Sequence, residues 1–172
     1  MTDGPRWWRG GVLYEVYPWS FADSDGDGVG DLRGAIERLD HVARLGADAV
    51  WITPWFPSPM VDGGYDVADY CDIDPKLGSL DQADELIERA HALALKVVID
   101  MVANHSSDQH PWFQEALRAG ADDPARHRYV FRPGRGGVPM VSVKLRRLVL
   151  AGSRSRCGAW RGGHRRVVGL GR

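Results

Sequence analysis

The chain has 172 residues, of which 44% are hydrophobic and 26% are charged, and its formal net charge is −1. This composition is typical of a globular protein of about one domain, and no apolar run reaches the roughly 18 residues that a membrane-spanning helix requires. Because the first residues also lack the pattern of a secretory signal, we expect a cytoplasmic protein that does not bind a membrane.

Three strands and three helices are predicted to alternate along the chain. β-Branched and aromatic residues predict strands over residues 12–17, 49–53 and 96–102. The first helix has Asp31 as its N-cap and ends at Gly46. The second starts with a capping box of Ser79 and Gln82, and the third starts at Pro111. Since no hairpin signal separates the strands, the alternation predicts an α/β fold with a parallel sheet.

A glycine-rich loop before the first helix carries carboxylates at alternate positions. The residues that could direct oxygen atoms at one ion are Asp23, Asp25, Asp27 and Asp31, with the backbone carbonyl of Val29. Hard oxygen ligands of this kind suit Ca²⁺ better than a transition metal. The alternative is an empty turn in which Asp31 only caps the helix. We favour Ca²⁺, because clustered carboxylates repel one another without a cation.

Polar residues also follow the second and third strands, and ligands bind at the carboxyl ends of parallel strands. Asp100 ends the third strand, where an unpaired buried carboxylate would be costly, and His105 lies in the loop after it. Asp62 and Tyr65 belong to the long loop after the second strand. Each residue alone could be structural, but their shared location favours a binding site.

Together these segments resemble the α-amylase superfamily of glycoside hydrolases (glycoside hydrolase family 13), most closely its α-glucosidase and oligo-1,6-glucosidase branch. Five motifs occur in the family's order and cover residues 7–134. They are Trp8–Phe21, Asp23–Asp31, Gly46–Pro54, Asp62–Tyr70 and Asp100–Phe113. The resemblance implies the N-terminal portion of a (β/α)8 TIM barrel, with three βα units in residues 1–110 and the start of an inserted subdomain in residues 111–134.

The resemblance also implies roles for individual residues. Asp100 would contact the sugar in the cleavage subsite, and His105 would hydrogen-bond its 6-hydroxyl. Asp62 would bind a terminal glucose, and Tyr65 would stack on the sugar ring. The aspartate loop would match the cation loop of this branch. We expect the Tyr65 ring and the Asp62 carboxylate to face the same cavity as His105, with Asp66 and Tyr70 holding the loop.

Residues 135–172 differ from the rest, because they contain ten basic and no acidic residues. We expect an irregular basic tail that is disordered or results from a frameshift, in which only residues 141–150 could form a short apolar element. A basic arm for nucleic acid is the less favoured alternative.

The expected function is that of an α-glucosidase acting on terminal α-linked glucose of oligosaccharides by a retaining mechanism. In this family the catalytic nucleophile and acid/base follow the fourth strand, and neither motif is present in the 172 residues. We therefore expect a fragment that is inactive alone. The alternatives are a trehalose synthase or other transglycosylating isomerase, or a non-catalytic module that binds Ca²⁺ or sugar. The expected partner is an α-glucoside oligosaccharide rather than nucleic acid.

Overall fold

The computed structural model describes residues 6–132 and 140–145. Within these residues the chain divides into two compact units. The first comprises residues 6–55 and 73–100, and the second comprises residues 56–72, 101–132 and 140–145. In the part of the chain that the structure describes, no helix is both long and apolar enough to cross a membrane.

The first unit contains a three-stranded parallel sheet in the order β1-β2-β3. Its strands are β1 (Leu13–Val16), β2 (Ala49–Ile52) and β3 (Lys96–Ile99). This arrangement confirms the predicted parallel α/β sheet. The third strand is shorter than predicted, and the prediction is wrong for residues 100–102. Pro54 has no N–H to continue the β2 ladder, so pairing ends with the bond from the Asp100 N–H to the Ile52 carbonyl, at 2.9 Å.

Three helices accompany this sheet: α1 (Pro18–Phe21), α2 (Leu32–Arg44) and α3 (Leu80–Ala92). The short helix α1 was not predicted, whereas both longer helices start where their cap residues predict. Asp31 accepts a hydrogen bond from the Gly34 N–H at 2.7 Å, and Ser79 and Gln82 form the complete capping box. Gly46 follows α2 with φ of 82°, the left-handed conformation that favours glycine at this position.

The core of the first unit forms where the apolar faces of α2 and α3 meet the sheet. Residues that are at most 1% exposed include Leu32, Leu39, Val50, Ile52, Leu86 and Ala90. Two ion pairs also join the helices at the surface: Arg33 binds both Glu85 oxygens at 2.7 and 2.8 Å, and Arg89 lies 2.5 Å from Asp40. Exposed pairs of this kind contribute little, so the apolar faces supply most of the stability.

The second unit contains α4 (Pro111–Arg118) and the antiparallel strands β4 (Tyr129–Arg132) and β5 (Met140–Leu145). Phe113, Ala116 and Tyr129 form a small core against which Phe131 packs. Strand β5 lies in the range predicted as an irregular tail, because β-branched residues alternate there along the short apolar element. The remainder of the predicted tail lies outside the described residues.

Candidate functional site

Asp62 and His105 lie close together in the second unit although they are 43 positions apart in the sequence. The His105 Nε2 atom is 3.9 Å from the Asp62 Oδ2 atom, and the two side chains are 30% and 70% exposed. Both groups are therefore open to a ligand. A carboxylate accepts hydrogen bonds and an imidazole N–H donates them, so the pair can bind a molecule that carries several hydroxyls.

The carboxylate of Asp66 holds the backbone of the Asp62 loop. It accepts hydrogen bonds from the Ser58 hydroxyl at 2.7 Å and from the N–H groups of Val61 and Asp62 at 3.0 and 3.1 Å. Burial opposes the charged form, but these donors outweigh burial and lower the pKa of Asp66. Asp66 is thus ionised near neutral pH and fixes the loop, as expected from the sequence.

Tyr70 holds the loop that carries His105. Its hydroxyl oxygen lies 2.9 Å from the Val102 carbonyl oxygen and 2.7 Å from the His105 carbonyl oxygen, so its single proton serves both acceptors. Burial raises the pKa of Tyr70 to about 12. The hydroxyl therefore remains a donor over the physiological pH range. Tyr70 was expected to hold its own loop, and its hydroxyl instead ties that loop to the backbone of the His105 loop.

Asn104 selects the tautomer of His105. The Asn104 Nδ2 atom lies 3.0 Å from the His105 Nδ1 atom. With the Asn104 amide in this orientation its NH₂ group donates to Nδ1, and the matching tautomer of a neutral ring carries its proton on Nε2. Nε2 is the nitrogen that faces Asp62, so the ring presents an N–H toward the same space as the carboxylate.

His110 is a structural residue of the site that the sequence did not indicate. It is 5% exposed, and its Nδ1 atom accepts the Trp112 N–H at 3.1 Å as the N-cap of α4. Its ring centroid lies 5.4 Å from that of Tyr70. Histidine is not among the usual N-cap residues, so the pattern around Pro111 marked the helix start without marking this contact.

The other two predicted sugar-binding residues, Tyr65 and Asp100, are both partly buried. Tyr65 donates its N–H to the Asp62 carbonyl at 3.0 Å and is partly buried. Asp100 belongs to the first unit, where it follows β3 and is partly buried. The structure thus brings Asp62 and His105 together and ties Tyr65 to Asp62 through the backbone. A cavity shared with the Tyr65 ring stays a prediction.

Three of the predicted metal ligands converge in the aspartate loop. Carboxylate oxygens of Asp23, Asp25 and Asp27 all lie within 4.8 Å of one another, and all three side chains are exposed. Asp23 accepts N–H groups from Gly26 at 2.7 Å and Gly28 at 2.8 Å. The bonds from Gly28 and Gly26 lower the pKa of Asp23, so the backbone itself offsets part of the negative charge.

The other two predicted ligands have different roles in the structure. One Asp31 oxygen caps α2, and the other accepts both the N–H and the hydroxyl of Ser24 at 2.9 Å. Val29 donates its N–H to Asp27 at 2.7 Å. Asp31 does not belong to the group of three convergent carboxylates found among the described residues. The donor chemistry of Asp23, Asp25 and Asp27 fits Ca²⁺. Asp23 Oδ1 accepts two N–H groups, but each of the three carboxylates keeps an oxygen that accepts at most one of the hydrogen bonds described, and that oxygen retains a lone pair for an ion.

Comparison with known proteins identifies the family. The family described as "Alpha amylase, catalytic domain" matches residues 15–147, and the match extends beyond Gly134. Trehalose-6-phosphate hydrolase of Escherichia coli K12 is 50% identical over 81% of this chain and 25% of its own length. Oligo-1,6-glucosidase of Bacillus cereus is 46% identical over 77% of this chain and 24% of its own length.

Solved structures agree with this result. The alpha-glucosyl transfer enzyme XgtA is 53% identical with a TM-score of 0.72, over 77% of this chain and 25% of that one. Trehalulose synthase MutB from Pseudomonas mesoacidophila MX-45 is 43% identical with a TM-score of 0.73, over 78% and 24% of the two chains. A mutant of MutB has been solved in complex with its substrate sucrose.

The chain belongs to the alpha-amylase catalytic-domain family of glycoside hydrolases. Its three βα units correspond to part of the (β/α)8 barrel of that family, which confirms the predicted fold class. The chain spans about a quarter of the length of the relatives it matches.

Proposed function

We propose that this chain is the substrate-recognition part of an α-glucosidase-type glycoside hydrolase and that it binds terminal α-linked glucose of oligosaccharides. The observation that carries the proposal is the approach of Asp62 and His105 to 3.9 Å in a chain of this family. Two independent contacts support it, because Asp66 holds the loop of one partner and Tyr70 holds the loop of the other.

Each side chain has a defined task in this proposal. The Asp62 carboxylate accepts hydrogen bonds from sugar hydroxyls, and the Nε2–H of His105 donates to a hydroxyl oxygen. The Tyr65 ring covers the apolar C–H face of the sugar. The pair binds and orients the glucose, and the exposure of both groups allows the sugar to enter.

Hydrolysis itself requires groups from elsewhere in the intact enzyme. A retaining mechanism uses two carboxyl groups about 5–5.5 Å apart, one as nucleophile and one as acid/base. We assign neither role to a residue of this chain, so the chain alone would bind the sugar without cleaving it.

Ca²⁺ is the proposed cofactor of the aspartate loop. Asp23, Asp25 and Asp27 would hold the ion, which would neutralise their mutual repulsion and stabilise the turn before α2. This role is structural and no step of the sugar chemistry depends on it.

A transglycosylating enzyme is the second candidate. The matches include hydrolases at 46–50% identity and an alpha-glucosyl transfer enzyme and a synthase at 53% and 43%. This part of the chain is therefore common to both activities. Preferential binding of sucrose over isomaltose would favour the second candidate.

Isothermal titration of the full chain with isomaltose tests the proposal. Asp62→Asn should weaken binding about tenfold or more, because a hydrogen bond to a charged group contributes about 1.5–3 kcal/mol. Asp84→Asn is the matched control, since it makes the same chemical change at an exposed position of α3. Equal affinity of wild type for cellobiose, or unchanged affinity in Asp62→Asn, would contradict the proposal.

A further inference from the structure

We propose that His110 is a positioning residue for the Asp62–His105 pair and that it acts through the ring of Tyr70. The inference deepens the proposed function, on which its consequence for sugar binding rests. His110 is not a member of the pair, and its ring is buried within the second unit.

Tyr70 is connected to the His105 loop through its hydroxyl. The Tyr70 hydroxyl bonds to the Val102 and His105 carbonyls, so the backbone of this loop is held by one side chain from the loop of residues 56–72. A shift of the Tyr70 ring would move the hydroxyl from both carbonyls together. The position of the ring therefore determines the position of His105.

The Tyr70 ring is held by aromatic packing. It contacts two other rings, Phe56 at a centroid distance of 5.9 Å and His110 at 5.4 Å. The rings are tilted by 60° and 46°, within the range of favourable aromatic contacts. Removal of the His110 ring would leave Tyr70 with Phe56 as the remaining ring contact among those described.

His110 is attached to α4. Its Nδ1 atom accepts the Trp112 N–H and its ring centroid lies 4.9 Å from that of Trp112, while the backbone N–H of His110 donates to the Ser107 carbonyl at 3.1 Å. The Ser107 N–H in turn donates to the Val67 carbonyl at 2.8 Å. The helix, the His105 loop and the Tyr70 loop thus share one set of contacts centred on His110.

The charge states agree with this geometry. Burial lowers the pKa of His110, so its Nδ1 remains an acceptor near neutral pH. Among the charged groups that act on the ring, Asp69 raises its pKa and Arg128 lowers it. Arg128 also lies over the Trp112 ring at 5.9 Å and pairs with Glu115 of α4.

Two substitutions separate the ring of His110 from its capping role. His110→Asn keeps a side-chain oxygen that can cap α4 but removes the ring. His110→Phe keeps a ring against Tyr70 but removes the acceptor. Tyr70→Phe, a third variant, removes only the hydroxyl. Hydrogen exchange of the full chain would be followed at the Ser107 amide for the loop, the Trp112 amide for the cap, and the Leu86 amide in α3 as a reference.

We expect His110→Asn and Tyr70→Phe to lower the protection of the Ser107 amide about fivefold, and to weaken isomaltose binding by a similar factor. His110→Phe should lower the protection of Trp112 instead and leave Ser107 within about twofold of wild type. Unchanged Ser107 protection in His110→Asn would overturn the inference. His110→Asn could also lose the protection of the Leu86 amide, which would mean that the variant does not fold. In that case His110→Phe decides, and equal losses of protection at the Ser107 and Trp112 amides of this variant would overturn the inference.

The two proposals fail in different ways. A wild-type chain that shows Ser107 protection but does not bind isomaltose would contradict the proposed function, while the exchange measurements would still decide the role of His110. A chain that binds isomaltose with equal affinity in wild type and His110→Asn would contradict the positioning role alone.

Discussion

At the scale of single residues, His110 shows how burial and hydrogen bonding require the same protonation state. Its Nδ1 atom can accept the Trp112 N–H only when it carries no proton. Burial lowers the pKa of the ring from its ordinary value of 6.5, so the unfolded chain binds a proton more tightly than the folded one.

We therefore predict that the N-terminus of α4 weakens in acid. The contribution of His110 to stability is complete above the unfolded pKa of 6.5 and is lost as the pH falls through the lower folded pKa. The protection factor of the Trp112 amide, measured by hydrogen exchange between pH 7.5 and 5, should decrease in wild type. His110→Asn has no titrating group here and should be much less sensitive. An equal decrease in both proteins would contradict the prediction.

The sequence predicts some residues of the candidate site but not others. Asp62 and His105 were predicted from topology, because loops after neighbouring parallel strands start side by side. Asp66 and Tyr70 were also expected to hold the loop. The roles of Asn104 and His110 depend on the orientation of individual rings and amides, which no spacing rule specifies.

At the scale of elements, α2 packs closely against the backbone of Ala22, which follows α1, and this contact requires a glycine at position 34. A Cβ atom added there would lie 2.3 Å from the Ala22 carbonyl oxygen, a backbone atom that cannot rotate away. Alanine is favoured over glycine in a helix by about 1 kcal/mol, whereas overpacking of this kind costs about 1–3 kcal/mol. The clash should outweigh the gain in helix propensity.

We predict that Gly34→Ala lowers the free energy of unfolding by about 1 kcal/mol, measured by urea titration. Gly10→Ala is the control, because a Cβ atom at Gly10 meets no atom within 4 Å and the backbone φ is −137°. It should change stability by less than about 0.5 kcal/mol. A Gly34→Ala variant that is more stable than wild type would contradict the prediction, because it would show that α2 can move away from the Ala22 backbone without loss of stability.

The aspartate loop gives a second prediction at this scale. Ca²⁺ that binds only the ordered loop should stabilise the first unit, by about 2.7 kcal/mol at one hundred times the dissociation constant. Asp25→Asn should weaken this effect. Asp31→Asn should preserve it, since Asp31 lies outside the convergent group and asparagine is also a good N-cap. If Ca²⁺ does not raise the thermal midpoint of unfolding, the Ca²⁺ proposal is wrong and the loop serves only to cap α2.

Among the elements, the caps were the most predictable features and the strand ends the least. Asp31 and Ser79 each determine a helix start through a local hydrogen bond, so the sequence alone identifies them. The end of β3 depends on its partner, because Pro54 terminates the ladder of β2. Helix α1 is a single turn that follows Tyr17, too short for any apolar period.

At the scale of the whole molecule, the three βα units of the chain correspond to part of the (β/α)8 barrel of its family. The sheet order β1-β2-β3 leaves β1 and β3 each paired on one side among the described residues. Exposed strand edges of this kind favour association with other chains.

The His105 ring can report directly on the binding of α-linked glucose at the Asp62–His105 pair. The full chain, one of whose six histidines is His105, would be titrated with methyl α-D-glucopyranoside while the ring Cε1–H resonances are followed by NMR. A His105→Gln spectrum assigns the resonance. The proposal predicts a progressive, saturable shift of the His105 signal that the β-anomer produces much more weakly. A His105 signal that does not move, or that moves equally with both anomers, would contradict it.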